Sequence, residues 1–411
     1  MAVDREVIIV GGGASGLCAA IICARENKKV LVIEHKERVG KKLLATGNGK
    51  CNYTNLKCIE GSYRGEDPKF AEYALTTFGP KESIAFFEEL GIYPKEKNGY
   101  IYPNSGQASS VVEVLELTAK YFGVEIICKE EIQEIVPGKN SILLKGVLNE
   151  YRGKQIILAT GGQVSAKLGS DGSGYKLAKQ LGHNIIKPVP ALIGLKCKEK
   201  YYKELAGVRT EAQVSLYIEN DKNVVACDEG ELQLTNYGIS GIPVFQISRF
   251  AARAIKERKN VKVHIDFMPG MDGKQLEGLI IKRFKMKGRT AQEAMIGLLN
   301  KKLVDVLLSE SGISLKMDAN KIGIFQIHKL VNCIKNTCSI VVDTNGFENA
   351  QVTAGGVSTK EISEKTMESK LVRGVYMIGE LLDIDAICGG YNLQWCWSSA
   401  YVAAKAIIGS R

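Results

Sequence analysis

Val7-Ile8-Ile9-Val10-Gly11-Gly12-Gly13-Ala14-Ser15-Gly16-Leu17-Cys18-Ala19-Ala20 sets the reading of this chain. Four β-branched residues run into Gly11-x-Gly13-x-x-Gly16, and a helix of small residues follows. Gly11 lets the chain turn sharply out of the strand. Gly13 has no Cβ, so a pyrophosphate can come close to the backbone. Gly16 lets the helix pack tightly on the strand. The free N–H groups around Ala14 and Ser15, with the positive end of the helix, then face the phosphates.

The unit continues as Val30-Leu31-Val32-Ile33-Glu34, a second buried strand that ends in an acid. It lies about twenty residues after Gly13, where a carboxylate meets a ribose hydroxyl, with His35 beside it. This context turns a common glycine pattern into a dinucleotide site. It does not separate NAD from FAD.

A chain of 411 residues implies two or three domains. The uncharged run from Val7 to Ala24 is nearly long enough to span a bilayer, but its glycines and serine fit a nucleotide turn instead. No export signal is read, and a cytoplasmic protein is expected. The 11 cysteines are odd in number, form no Cys-x-x-Cys and sit mostly in apolar runs, so they read as small buried hydrophobes. Four scattered histidines argue against zinc, and no metal is expected. The net charge is +10, but Lys41-Lys42 and Lys301-Lys302 are short pairs. The balance therefore reads as a solvated basic surface that could attract an anionic substrate, and nucleic acid is not expected as a partner.

Val39 to Asn55 reads as a long functional loop without helical or strand periodicity. Lys41 and Lys42 can meet phosphate. Thr46, Gly47, Asn48, Gly49, Cys51 and Asn52 can lie against a flat ring and offer it donors. Helices are predicted over Gly79–Gly91 and Gln107–Phe122, and strands over Val124–Cys128, Ile132–Val136, Ser141–Leu144 and Lys154–Thr160. Ile132 is assigned to the dinucleotide site. So is Thr160-Gly161-Gly162, at the carboxyl edge of the sheet. From Lys187 to about Ile265 short alternating runs predict an inserted all-β region, with a helix near Phe245–Lys256. Asp272–Leu308 reads as helical, and Lys329–Val342 as strand-like.

The closing segment carries a second acid-bearing strand, Gly374-Val375-Tyr376-Met377-Ile378-Gly379-Glu380-Leu381-Leu382-Asp383. Cys388-Gly389-Gly390-Tyr391-Asn392-Leu393-Gln394 then opens an apolar helix. Glu380 and Asp383 suit ribityl hydroxyls or the pyrophosphate water shell. The helix start can stabilise negative charge on a reduced flavin. A simple NAD dehydrogenase needs no such tail, so FAD is expected.

Gly11–Gly16, Thr46-Gly47-Asn48-Gly49-Lys50-Cys51-Asn52, Thr235-Asn236-Tyr237-Gly238-Ile239-Ser240-Gly241, Gly379–Asp383 and Gly389-Gly390-Tyr391-Asn392-Leu393-Gln394-Trp395 occur in one order over nearly the whole chain. In this the sequence resembles the HI0933-like and aminoacetone oxidase family of FAD-binding flavoproteins, which includes the bile-acid-inducible flavoprotein reductase. One departure is visible: Ile242 precedes Pro243, where the family has proline directly after Ser-Gly.

The resemblance implies an α/β fold of glutathione-reductase type. A Rossmann-like FAD-binding domain would take residues 1–187 and 343–411, an inserted β-barrel-like domain 188–268 and 325–342, and a small helical domain 269–324. It also extends the cofactor set to Gly390, Tyr391, Asn392, Leu393 and Gln394. The expected activity is reduction of a conjugated C=C bond, as in a 3-dehydro bile acid, by an FAD-dependent oxidoreductase with a small-molecule substrate. NAD(P)H would be a transient donor entering the substrate cleft, because no second nucleotide-binding unit occurs. Tyr391 or Tyr237 could supply the proton. Cys51 reads as a packing residue rather than a redox partner. The alternatives are an amine or aminoacetone oxidase using O2, and a flavoprotein that binds nucleic acid or a protein partner.

Overall fold

Strands covered on both faces must be apolar along their length. Val7–Val10 and Val30–Ile33 meet this condition, with every residue at most 7% exposed. The computed structural model describes residues 3–57, 61–219 and 223–410, so Met1 and Arg411, the limits of the expected FAD-binding domain, lie outside it. The chain divides into two compact units, Met1–Val189 with Phe347–Arg411, and Pro190–Gly346.

The first unit is built on a 7-stranded sheet. Its parallel part runs Glu125–Cys128, Val30–Glu34, Val3–Val10, Glu150–Leu158, Val375–Met377. Glu150–Leu158 serves two partners. Its first half pairs antiparallel with Ile142–Gly146, which pairs in turn with Ile132–Pro137. Its second half takes the closing strand, with Ile156 beside Val375. The opening and closing segments of the sequence therefore share one sheet. The helices that follow their glycine turns, Ala14–Arg25 and Tyr391–Gly409, pack on each other.

The loop expected over Val39–Asn55 is not free of regular structure. Lys41–Leu44 forms one helical turn that buries Leu43, and Thr54–Asn55 pairs with Tyr100–Pro103. A single turn is too short to show a hydrophobic period.

The second unit is a closed antiparallel barrel in the order Leu195–Cys197, Gly238–Gly241, Ala226–Thr235, Arg209–Ile218, Val261–Asp266, Thr337–Thr344. Alternate residues Ala212, Val214 and Leu216 point into it and are fully buried. The helix Ile242–Lys256 starts directly on the barrel strand, with Ile242 and Pro243 in its first turn, so the extra isoleucine is absorbed as a helical residue that stays half exposed. Helices Gly273–Phe284, Lys301–Glu310 and Ile324–Lys335 complete the unit. The strand reading of Lys329–Val342 is corrected here: helix continues to Lys335, and only Thr337–Thr344 is extended. Ile327, Leu330, Val331 and Ile334 are buried at helical spacing, and the β-branched character of three of them misled the sequence reading. No helix of the described residues is long and apolar enough to cross a membrane.

Candidate functional site

At the first glycine turn the protein's own packing explains three of four glycines. A Cβ on Gly11, at φ +106°, would stand 2.4 Å from the Ala159 carbonyl oxygen. On Gly16 it would stand 1.9 Å from the Gly11 oxygen, and on Gly12 2.4 Å from Val39 Cγ1. On Gly13 it would meet nothing within 4 Å. Gly13 opens on free space at the start of a helix that has no side-chain cap. Glu34 holds this turn: Oε2 accepts from the Gly12 N–H at 2.9 Å and Oε1 from the Lys36 N–H at 2.8 Å. His35 lies 3.4 Å from Glu34 and 3.5 Å from Asp171. Burial raises the Asp171 carboxyl, but the Ser173 hydroxyl and N–H, with His35 behind them, bring it below its usual range. The chain before Ile132 runs beside this corner, with the Glu130 N–H donating to the Glu34 carbonyl at 3.1 Å, and Ile132 itself is buried.

The closing strand meets this turn. A Cβ on Gly379 would lie 2.7 Å from Ser15 Oγ. Glu380 Oε2 accepts from Lys42 Nζ at 2.6 Å, and Oε1 from the Thr353 N–H at 2.8 Å. Gly162 fits under the same group, since a Cβ there would be 2.9 Å from Glu380 Oε1. Lys41, by contrast, pairs with Glu37 at the surface. Thr160 Oγ1 is buried without a hydrogen-bond partner among the described residues. Asp383 Oδ2 accepts from the Glu66 N–H at 2.8 Å.

At the far end, the loop through Gly47, Asn48 and Cys51, all at positive φ, faces the Gly389-Gly390 turn. A Cβ on Gly390 would be 2.8 Å from Asn52 Oδ1, itself buried and unpartnered among the described residues. Asn55 Nδ2 donates to the Gly389 carbonyl at 2.8 Å. Several expected cofactor residues have their side chains engaged within the chain. Asn392 bonds the Ala386 N–H and carbonyl, and Gln394 bonds Thr54, the Phe78 carbonyl and Ser398. Tyr391 is 5% exposed and its hydroxyl donates to the Lys57 carbonyl at 2.9 Å. Burial pushes the Cys51 thiol up to about 12.

Tyr100 and Tyr102 were not singled out by the sequence. Tyr100 Cε1 is 2.9 Å from the Cβ position of Gly389, and Tyr102 Cε1 is 3.8 Å from that of Gly47. The alternation Tyr100-Ile101-Tyr102 was the available signal, because it puts both rings on one face of a strand. Tyr237 lies in the second unit, half-buried in the turn between two barrel strands.

The sequence profile of the HI0933-like protein Rossmann domain matches residues 5–406. The chain belongs to the HI0933-like family. The 3-dehydro-bile acid delta(4,6)-reductase of Clostridium scindens is 44% identical over 98% of both chains. The ribosomal RNA dihydrouridine synthase of Haemophilus influenzae is 32% identical, again over 98% of both. Among solved structures, an open flavocytochrome c3 fumarate reductase matches with a TM-score of 0.51 at 14% identity, over 99% of this chain and 78% of that one, and shares the fold.

This is a Rossmann FAD-binding family of oxidoreductases, and the residues present fit that cofactor. Gly13 leaves room that no protein atom fills, two helix starts carry no side-chain cap, and Thr160 and Asn52 offer buried polar atoms with no partner among the described residues.

Basic residues also cluster beyond the short pairs read from the sequence. From Lys282 to Arg289, five of eight residues are basic and none is acidic. Most of this run is exposed, at the end of the helix Gly273–Phe284.

Proposed function

We propose that this protein reduces a ring C=C bond conjugated to a carbonyl in an unsaturated 3-dehydro bile acid, with NAD(P)H as electron donor. The observation that carries this reading is the 44% identity, over 98% of both chains, to the Clostridium scindens reductase. FAD, when bound, would supply hydride-transfer chemistry at the carbon β to the carbonyl. The chain's own residues do the rest. Gly13, with the N–H groups of Ala14, Ser15 and Gly16, takes the pyrophosphate. Glu34, His35 and Ile132 border the adenosine, with Glu34 acting partly through the Gly12 N–H. Lys42, Thr160, Gly161, Gly162, Glu380 and Asp383 line the ribityl stretch. Thr46 to Asn52 and Gly390 to Leu393 border the ring system, where the uncapped helix start favours negative charge. Tyr391 and Gln394 support these walls through their contacts within the chain, and Lys41 stays paired with Glu37 at the surface.

NAD(P)H and the bile acid use one cleft in turn, because the sequence holds no second dinucleotide unit. The test is anaerobic mixing. NAD(P)H should bleach the visible flavin band, and an unsaturated 3-dehydro bile acid should restore it with formation of the saturated product. Bleaching by neither nicotinamide, with peroxide release from an amine, would replace this reading by the oxidase one.

A second reading is reduction of uridine in ribosomal RNA, where the uracil C=C bond is likewise conjugated to a carbonyl. The 32% identical relative and the basic run Lys282–Arg289 favour it. Dihydrouridine formed in ribosomal RNA transcripts, with no turnover of bile acids, would select it.

A further inference from the structure

Adding hydride to one carbon of a conjugated C=C bond leaves the other carbon in need of a proton. A side chain that gives it must hold its proton near neutral pH, reach the cleft, and have a donor that is not already committed. Tyr391 does not meet the last condition, because its hydroxyl is held by the Lys57 carbonyl.

Tyr102 meets all three. It shares a strand face with Tyr100, while Ile101 between them turns into the core at 2% exposure. The face looks toward the two glycine turns: Tyr100 against Gly389 and Tyr102 against Gly47. Tyr102 is half-buried, and no hydrogen bond among the described residues engages its hydroxyl. We propose that the Tyr102 hydroxyl delivers the proton to the carbon α to the substrate carbonyl, an assignment that rests on the reductase reading above. Burial, then Tyr100 and Cys388, pushes this phenol above its ordinary value, so it stays protonated through the working pH range.

The step balances. The C=C π bond breaks. One C–H bond forms at the β-carbon with hydride that originates in NAD(P)H, and one at the α-carbon with the Tyr102 proton. The phenolate then recovers a proton from water.

The test is Tyr102→Phe in the FAD-loaded protein, with four readouts. FAD affinity of the stripped protein, binding of the bile acid to the oxidised protein, and bleaching by NAD(P)H should each stay within about threefold of wild type. Restoration of the flavin band by the bile acid should slow by about 100-fold or more. Its solvent deuterium isotope effect should change with it. Restoration within threefold of wild type would overturn the assignment, as would a tenfold loss of FAD or bile acid binding, which would mark Tyr102 as packing. Restoration absent from the wild type itself would overturn the reductase reading, and Tyr102's role with it.

Discussion

Lys42 Nζ lies 2.6 Å from Glu380 Oε2, although 338 residues separate the two in sequence. The ion pair ties the loop after the second strand to the turn after the closing strand. Their side chains are 24% and 17% exposed, between a surface pair and a buried one. Lys42→Met leaves the Glu380 carboxylate, among the described residues, with the Thr353 N–H as its hydrogen-bond donor. It should destabilise the protein by about 1–2 kcal/mol, lower the melting temperature by a few degrees, and weaken FAD binding. Glu380→Gln keeps an acceptor for Thr353 and should cost less. Thermal melting and FAD titration of both variants check this.

The first glycine turn separates folding from binding. Gly11→Ala would press a Cβ to 2.4 Å from the Ala159 oxygen at a strained φ, and should destabilise by about 2 kcal/mol or more. Gly13→Ala meets no protein atom within 4 Å. It should melt like wild type without FAD, yet bind FAD about tenfold or more weakly. Equal FAD affinity in Gly13→Ala would remove the pyrophosphate from this turn.

Cys51 is 0% exposed, and burial, only partly offset by Thr46, pushes its thiol up to about 12. Cys23 and Cys396 are likewise raised by burial to about 12, and Cys18 higher still. Iodoacetamide at about pH 8 should therefore label the exposed Cys227 of the native protein and spare these four. Peptide mass spectrometry reads the result, and Cys51→Ala should leave the flavin spectrum and turnover in place.

Much of the backbone around the candidate site was legible because its signals are local. Val7–Gly16 and Val30–Glu34 read correctly because strands buried on both faces are continuous apolar runs and because glycine marks close approach. The closing segment read in part: the helix after Gly389-Gly390 is present, but the strand expected over Gly374–Asp383 is extended only at Val375–Met377, and Glu380 sits in a short helical turn at Gly379–Leu381. What stayed hidden is tertiary. Whether Tyr391 has a spare hydroxyl depends on where the Lys57 carbonyl falls. That Gln394 turns inward depends on Thr54 and Phe78, more than 300 residues away. Lys329–Lys335 was misread as strand for a local reason: the buried positions of its helix are mostly β-branched, so residue type outweighed a helical period.

His183 gives stability a pH dependence. Its buried ring lies with Nδ1 3.1 Å from Glu361 and Nε2 2.8 Å from Ser369 Oγ. The Leu371 and Val372 N–H groups donate to that hydroxyl, leaving its own proton for Nε2 and the ring neutral. Burial pushes His183 below its ordinary value, partly opposed by Glu361. A lowered histidine favours the folded state above its unfolded pKa of about 6.5, and that contribution is lost as pH falls through the folded value. The melting temperature should drop as the pH falls below about 6.5, and His183→Gln should flatten that slope. An unchanged slope would assign the dependence to another group.

The central claim is that the opening and closing segments hold one FAD for reduction of a conjugated C=C bond. The most direct measurement is the visible spectrum of the protein, bleached anaerobically with NAD(P)H and then mixed with an unsaturated 3-dehydro bile acid. The account predicts return of the flavin band with one saturated product per FAD reoxidised. A band that stays bleached with the bile acid and returns only when O2 is admitted would contradict it.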